Sequence, residues 1–151
     1  MARTPVTPQQ APFSLSGLDH LVLRVRDLEA MKHFYIDLLG CTLERSREDL
    51  GLYQLRAGST LIDLVTLDGQ LGRMGGTGPG AEGRNLDHFC LRVTPFDPQA
   101  MREWLARHGV ACGDVARRYG AEGFGPSIYL HDPEGNTVEL KGPPEAVIPD
   151  S

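Results

Sequence analysis

The chain has 151 residues, of which 40% are hydrophobic and 23% are charged, with a formal net charge of −5. This length suits about one domain with its own core. The acidic balance and the lack of a basic block argue against a nucleic-acid partner. No apolar run reaches the roughly 18 residues of a membrane span, and the first sixteen residues lack the apolar core of a signal peptide. Three scattered cysteines (Cys41, Cys90 and Cys112) indicate free thiols, so we expect a cytoplasmic protein.

One segment of the chain occurs twice. LDHLVLRV starts at Leu18 and LDHFCLRV starts at Leu86, 68 residues later, with six of eight positions identical. A helix is predicted after each copy. The first is LEAMKHFYIDLLG, capped by Asp27, and the second starts at Pro98 after the cap Asp97. A repeat of this length indicates a repeated structural unit.

Short β-rich segments follow each predicted helix. They are LGLYQLRAG and STLIDLVTL in the first copy, and VACGDVARR, SIYLHD and NTVELKG in the second. The chain is therefore predicted to be α+β, with two βαβββ modules at about 17–68 and 85–142. Residues 69–84 hold seven glycines in sixteen positions, which predicts a linker. Residues 1–16 and 143–151 are predicted to be disordered tails.

Strand alternation places four potential metal ligands on one side of the two sheets. Each helix needs an apolar sheet face to pack on, and Leu21, Leu23 and Val25 would supply it in the first strand. The same alternation, in this strand and in the others, directs a second group of side chains away from the helices. These are His20, Asp63, His88 and Glu139.

Two imidazoles with one or two carboxylates suit a divalent ion such as Zn, Ni, Mn, Co or Fe. Two His and one carboxylate would also leave positions open for water or a substrate oxygen, as catalysis requires. The other interpretation of these residues is a set of polar side chains on a solvated sheet face. The spacing alone leaves both open.

The opening LDHLVLRVRDLEAMKHFYIDLLG and the closing FGPSIYLHDPEGNTVELKG resemble the vicinal oxygen chelate superfamily, the glyoxalase/bleomycin resistance/dioxygenase fold. The resemblance covers about residues 17–142, and the region around 117–123 resembles its lactoylglutathione-lyase-like, virulence-associated group. It implies two βαβββ modules forming a cup-shaped mixed sheet with the helices outside.

The resemblance also implies roles for individual residues. One divalent metal ion would be held by His20, His88 and Glu139. Asp63 stands where glyoxalases usually carry a fourth ligand, Glu, so either direct or water-mediated coordination is open for it. Glu139 and Asp63 would be the catalytic carboxylates. Tyr129 matches a substrate-contacting tyrosine, and Arg118 is either a substrate contact or a solvated charge.

The function implied is a metal-dependent, glyoxalase-like lyase or isomerase that acts on a small carbonyl or thiol adduct through a metal-stabilised enediolate or oxyanion. Three alternatives remain open: a thiol transferase of the fosfomycin-resistance type, an Fe(II) extradiol dioxygenase, and a metal-free sequestering protein of the bleomycin-resistance type. Edge strands on both modules lead us to expect a homodimer that binds a small molecule. In such a family the cup forms within one chain or between two.

Overall fold

The computed structural model describes residues 11–146, so the ends of both predicted tails lie outside the described residues. The first module contains β1 (His20–Val25), α1 (Leu28–Lys32) with a π-helical continuation (His33–Leu38), β2 (Thr42–Arg47), β3 (Leu52–Ala57) and β4 (Thr60–Thr66). A short helix, α2 (Gln70–Met74), follows it. The second module contains β5 (Phe89–Arg92), α3 (Pro98–Arg107), β6 (Ala116–Gly120), β7 (Gly123–His131) and β8 (Thr137–Lys141).

The two modules have the same sheet topology. The first sheet has the order β1-β4-β3-β2 and the second has β5-β8-β7-β6. The first and last strands of each module pair in parallel, β1 with β4 and β5 with β8. The remaining pairs are antiparallel. The predicted α+β fold of two βαβββ modules is confirmed. Strands β1 and β5, which lie within the repeated segment, are both at a sheet edge.

The predicted caps start both helices. The Asp27 carboxylate accepts a hydrogen bond from the Ala30 amide at 3.0 Å, and Asp97 accepts one from Ala100 at 3.2 Å. The first helix leads to Gly40, whose φ of +85° ends it in a conformation that favours glycine. These local signals fix where each helix lies in the chain.

The predicted alternation of apolar and polar residues is also confirmed. Leu23 and Val25 of β1 are fully buried, and so are Ile62 and Leu64 of β4. They form one core with the helix residues, and the second module contributes to that core. The other buried members are Met31, Phe34, Tyr35, Leu38, Cys41, Leu55, Phe89, Leu105, Ile128, Leu130, Val138 and Leu140.

The two modules are joined by polar contacts at the turn between β7 and β8. The buried Asp132 carboxylate accepts hydrogen bonds from the Tyr35 hydroxyl at 2.7 Å and from the Asn136 side chain at 2.8 Å. In the same turn, the Glu134 carboxylate accepts from the backbone amides of Arg26 and Asp27. The turn of the second module therefore holds the start of the first helix, and burial beside Asp132 raises the pKa of Tyr35 far above its usual value.

The glycine-rich segment between the modules is attached to the first sheet. Arg24 donates hydrogen bonds to the carbonyls of Gly72, Gly76 and Thr77. Asn85 bonds the backbone of Arg24 on one side and the side chain of Asn136 on the other. Among the described residues, no helix is long and apolar enough to cross a membrane.

Two strands differ from the sequence prediction. All six residues of β2 are exposed, so this strand lacks the alternation that would have revealed it. The segment VACGDVARR forms a strand only from Ala116, where β6 begins. Before that point it makes one isolated bridge, between Cys112 and Leu130, and the Gly113 amide donates to the Tyr129 carbonyl at 2.9 Å.

Candidate functional site

The second sheet brings four of the predicted site residues onto one face. Glu139 of β8 pairs in register with Cys90 of β5 on one side and with Tyr129 of β7 on the other. His88 directly precedes β5, and its ring stands edge-on to the Tyr129 ring with 5.5 Å between the centroids. Arg118 of β6 places its guanidinium over the same tyrosine ring, 4.4 Å from the centroid.

Glu139 is the centre of this group. It is 6% exposed, although it is a carboxylate. A hydrogen bond to Glu139 raises the pKa of the Tyr129 hydroxyl, and burial together with Glu139 raises the pKa of the Cys90 thiol to about 12. Both neighbours therefore stay protonated at neutral pH and can donate to the Glu139 side chain.

The first sheet holds the other two predicted ligands. Asp63 of β4 pairs with Val22, two residues along β1 from His20, so Asp63 and His20 share a sheet face. Asp63 is 4% exposed, and its Oδ2 accepts a hydrogen bond from Gln54 at 3.2 Å. Its Oδ1 is buried without a hydrogen-bond partner among the described residues. An unpaired buried carboxylate oxygen is costly, which points to a missing ligand on this side.

Each candidate histidine is held by the aspartate that precedes it. His20 Nδ1 lies 2.7 Å from the Asp19 carboxylate, and His88 Nδ1 lies 2.5 Å from Asp87. The Asp19 hydrogen bond raises the pKa of His20. A carboxylate at Nδ1 favours the proton on that nitrogen, so Nε2 is left with a free lone pair for a metal.

Within one chain the two groups remain separate. An open cleft of about 1150 Å³ runs along β5 and is lined by His88, Cys90, Arg118, Tyr129 and Glu139. His20 and Asp63 are not among its lining residues. Between residues 11 and 146 no three His, Cys, Asp or Glu side chains come close enough together to hold a metal ion. A single chain thus carries two half-sites, His20 with Asp63 and His88 with Glu139.

The donor set of the two half-sites fits a divalent metal. Each offers one imidazole with a free Nε2 and one buried carboxylate, and the unpaired Asp63 Oδ1 still lacks a partner. Imidazole with carboxylate is the ligand chemistry of Zn, Mn, Fe, Co and Ni. His88 and Glu139 would hold the ion in the second module, with His20 completing the set.

Sequence reasoning overlooked several residues of this region. Asp19 and Asp87 belong to the repeated segment, so their recurrence was a usable signal. The same strand alternation places Cys90 on the face of His88, but no role was predicted for it. Gln54 gave no signal because it forms part of no motif. Lys141 belongs to the closing segment, but nothing there indicated its burial, since Lys is seldom buried.

The fold and the site together define a two-module α+β protein with histidine and carboxylate groups on open sheet faces. The chain belongs to the Glyoxalase/Bleomycin resistance protein/Dioxygenase superfamily, whose family model matches residues 17–140. This superfamily includes glyoxalases, fosfomycin resistance proteins and dioxygenases. Its members typically use a divalent metal, bind small molecules and often form dimers.

Solved structures share this fold. A virulence protein from Salmonella typhimurium superposes with a TM-score of 0.70 at 23% identity, covering 86% of this chain and 98% of that one. An integron cassette protein from V. Pseudocholerae gives 0.67 at 28% identity, covering 88% and 98%. The fosfomycin resistance protein FosX from Listeria monocytogenes gives 0.62 at 20% identity, covering 86% and 95%.

Proposed function

We propose that the protein is a metal-dependent lyase or isomerase, glyoxalase-like in its chemistry, that acts on a small carbonyl compound or its thiol adduct. The observation that carries this proposal is the buried carboxyl group of Glu139, which pairs with Tyr129 and shares an open sheet face with His88. A buried carboxylate that faces a cleft suits proton transfer at a substrate carbon. The free thiols fit a cytoplasmic location.

The complete site forms between two copies of the chain. Strands β1 and β5 each leave one edge unpaired within the described residues, and the cleft along β5 is also lined by apolar residues of that strand, Phe89 and Leu91. Val22, next to His20, is 48% exposed and would be covered by such a contact. A homodimer would bring His20 and Asp63 of one copy to His88 and Glu139 of the other, twice per dimer.

The residues then have distinct tasks. A divalent cation held by His20, His88 and Glu139 would supply Lewis-acid stabilisation to a developing oxyanion. Glu139 takes the proton from the carbon next to the substrate carbonyl and delivers it to the neighbouring carbon, with Asp63 as its carboxylate partner on the opposite side. Tyr129 and Arg118 hold the substrate against the sheet.

The first test is the metal affinity of alanine variants, measured by titration calorimetry with Zn²⁺, Mn²⁺, Co²⁺ and Ni²⁺. H20A, H88A and E139A are expected to lose most of the affinity, and D63A is expected to lose less. The matched control is His33→Ala, because His33 also pairs with a carboxylate, Asp37, at 2.7 Å, but lies on the first helix. An equal loss in all four variants would show that Asp63 is a true ligand, and wild-type affinity in all four would refute the metal site.

The second test asks whether the site is shared between copies. H20A and E139A chains are each inactive under the proposal, but a mixed dimer regains one intact site, with His20 from one chain and His88 with Glu139 from the other. Co-expressed, differently tagged chains should therefore recover up to half of the wild-type metal per dimer. If each site lies within one chain, mixing restores nothing.

A thiol transferase that opens a strained ring is the second candidate. Arg118 stacked on Tyr129 beside Glu139 suits a compact oxyanion, and the fold likeness to a fosfomycin resistance protein points the same way. A panel of hemithioacetals and epoxides with and without added thiol separates the two reactions. Catechol cleavage with Fe(II) would instead indicate a dioxygenase, and tight ligand binding without metal would indicate a sequestering protein.

A further inference from the structure

Lys141 is a buried cation on the same sheet face as Glu139. It follows Glu139 by two residues on β8, which places the two side chains about 7 Å apart along the strand. It pairs in register with Arg92 of β5 and with Ser127 of β7. Lys141 is 6% exposed, yet it lines the same open cleft as Glu139.

Two glycines make room for the Lys141 side chain. A Cβ placed on Gly120 would lie 3.0 Å from Lys141 Cε, and one on Gly125 would lie 3.0 Å from its Nζ. The β6–β7 hairpin is thus free of side chains where the lysine lies. A larger residue at either glycine would displace the ammonium group.

The Lys141 ammonium forms no ion pair within residues 11–146. Arg92, the neighbour of Lys141 on β5, already forms an ion pair with Glu122 at 2.6 Å. Glu139 lies one strand repeat away and makes no salt bridge with Lys141. An ammonium group without a counterion favours an anion that enters from outside and completes the pair.

A second cation lies on the same face. One Nη of Arg118 donates to the Ser127 carbonyl at 2.9 Å and to its hydroxyl at 2.8 Å. These bonds and the Tyr129 ring fix the guanidinium in place, and its remaining N–H groups are available to an oxyanion. Arg118 and Lys141 therefore flank Ser127 at the same end of the cleft.

We propose that Lys141 and Arg118 form an oxyanion subsite for the substrate, which rests on the proposed function of the Glu139 site. The substrate class is a small compound that presents oxygens to the Glu139 end of the cleft and carries a carboxylate, phosphate or phosphonate about 7 Å away. The reaction takes place at the Glu139 end of the substrate. The anionic end determines how the substrate is oriented and which substrates are selected. Loss of the anion would weaken binding without changing the reacting groups.

The test uses metal-free protein, so that it does not depend on the metal site. NMR titrations of the full chain with phenylphosphonate, benzoate and neutral benzyl alcohol report binding at residues of β6 to β8. Both anions should bind saturably and the alcohol should not. K141M and R118M should each weaken anion binding at least tenfold, K141R should retain most of it, and K32M, on the first helix, should match wild type.

Thermal unfolding separates a binding role from a structural one. K141M removes an unpaired buried charge, so its Tm in anion-free buffer should equal or exceed that of wild type, while the stabilisation by phenylphosphonate should disappear. Unchanged anion binding in K141M would overturn the proposal, and so would a lower Tm with binding intact. Stronger binding of benzoate or of phenylphosphonate identifies which anion the subsite prefers. If H88A and E139A still bind the anion, the oxyanion subsite is supported even where metal titration has refuted the metal site.

Discussion

The paired aspartate and histidine in each copy of the repeat give the sharpest prediction. D19N and D87N each replace the carboxylate at Nδ1 by an amide that is uncharged and can also donate. Such neighbours of metal-binding histidines change metal affinity by roughly 10- to 100-fold. The side chains of Asp19 and Asp87 are 91% and 95% exposed, so solvent screening places the loss near the lower end, at about tenfold each.

The assay combines metal titration with ¹⁵N NMR of the imidazole rings. The D19N/D87N double variant should lose about a hundredfold in affinity if the two effects add in free energy. In the wild type without metal, the NMR spectrum should show the proton of His20 and of His88 on Nδ1. D37N is the matched control, because its carboxylate also contacts a histidine Nδ1 at 2.7 Å, far from either half-site.

Two results would refute this reasoning. Wild-type affinity in the double variant would show that the aspartates do not orient the rings. An equal loss in D37N would show a general charge effect instead of a local one. The pH dependence gives a further check: since Asp19 raises the pKa of His20, protons compete with the metal up to a higher pH in the wild type than in D19N.

Three further predictions concern stability and reactivity. D132A should lower the free energy of unfolding by about 3 kcal/mol in urea denaturation, because it leaves the Tyr35 hydroxyl unpaired in the core; Y35F should cost only about 1 kcal/mol. G72A should lower stability by about 1–3 kcal/mol, since its Cβ would overlap the Thr66 backbone, whereas G80A has open space and tests the same substitution without the clash. Cys90, with a pKa of about 12, should react with iodoacetamide at pH 8 on the order of a thousandfold more slowly than a free cysteine.

Each of these has a contrary outcome. An unchanged urea midpoint in D132A would mean that the inter-module turn contributes nothing to folding. Equal stability of G72A and G80A would contradict the close approach of α2 to β4. E139Q should speed the alkylation of Cys90 by removing the nearby charge, and no change would show that burial alone suppresses the thiolate.

Much of the fold followed from local patterns in the sequence. The alternation in β1 and β4 and the caps Asp27 and Asp97 specified faces and helix starts, because they depend on residues close in sequence. The exposed strand β2 has no apolar face and so gave no periodic signal. Its place in the sheet is decided by pairing with β3, which is tertiary information.

The candidate site could be predicted only in part. Strand alternation identified which side chains share a face, and the structure groups them as His20 with Asp63 and His88 with Glu139. How the modules dock depends on long-range contacts such as the Tyr35 hydroxyl with Asp132, which no local pattern encodes. The burial of Lys141 depends likewise on the two glycines across the sheet, Gly120 and Gly125.

The turn that joins the modules has a consequence for how this protein could evolve. Because Asp132 and Glu134 fix the first helix against the second module, the spacing between the two halves of each chain is set far from any reacting group. In a dimer that spacing would be transmitted symmetrically to both cavities. Substitutions in this turn could therefore widen or narrow both cavities together. The size of the substrate that fits would then change while every chemical group stays in place.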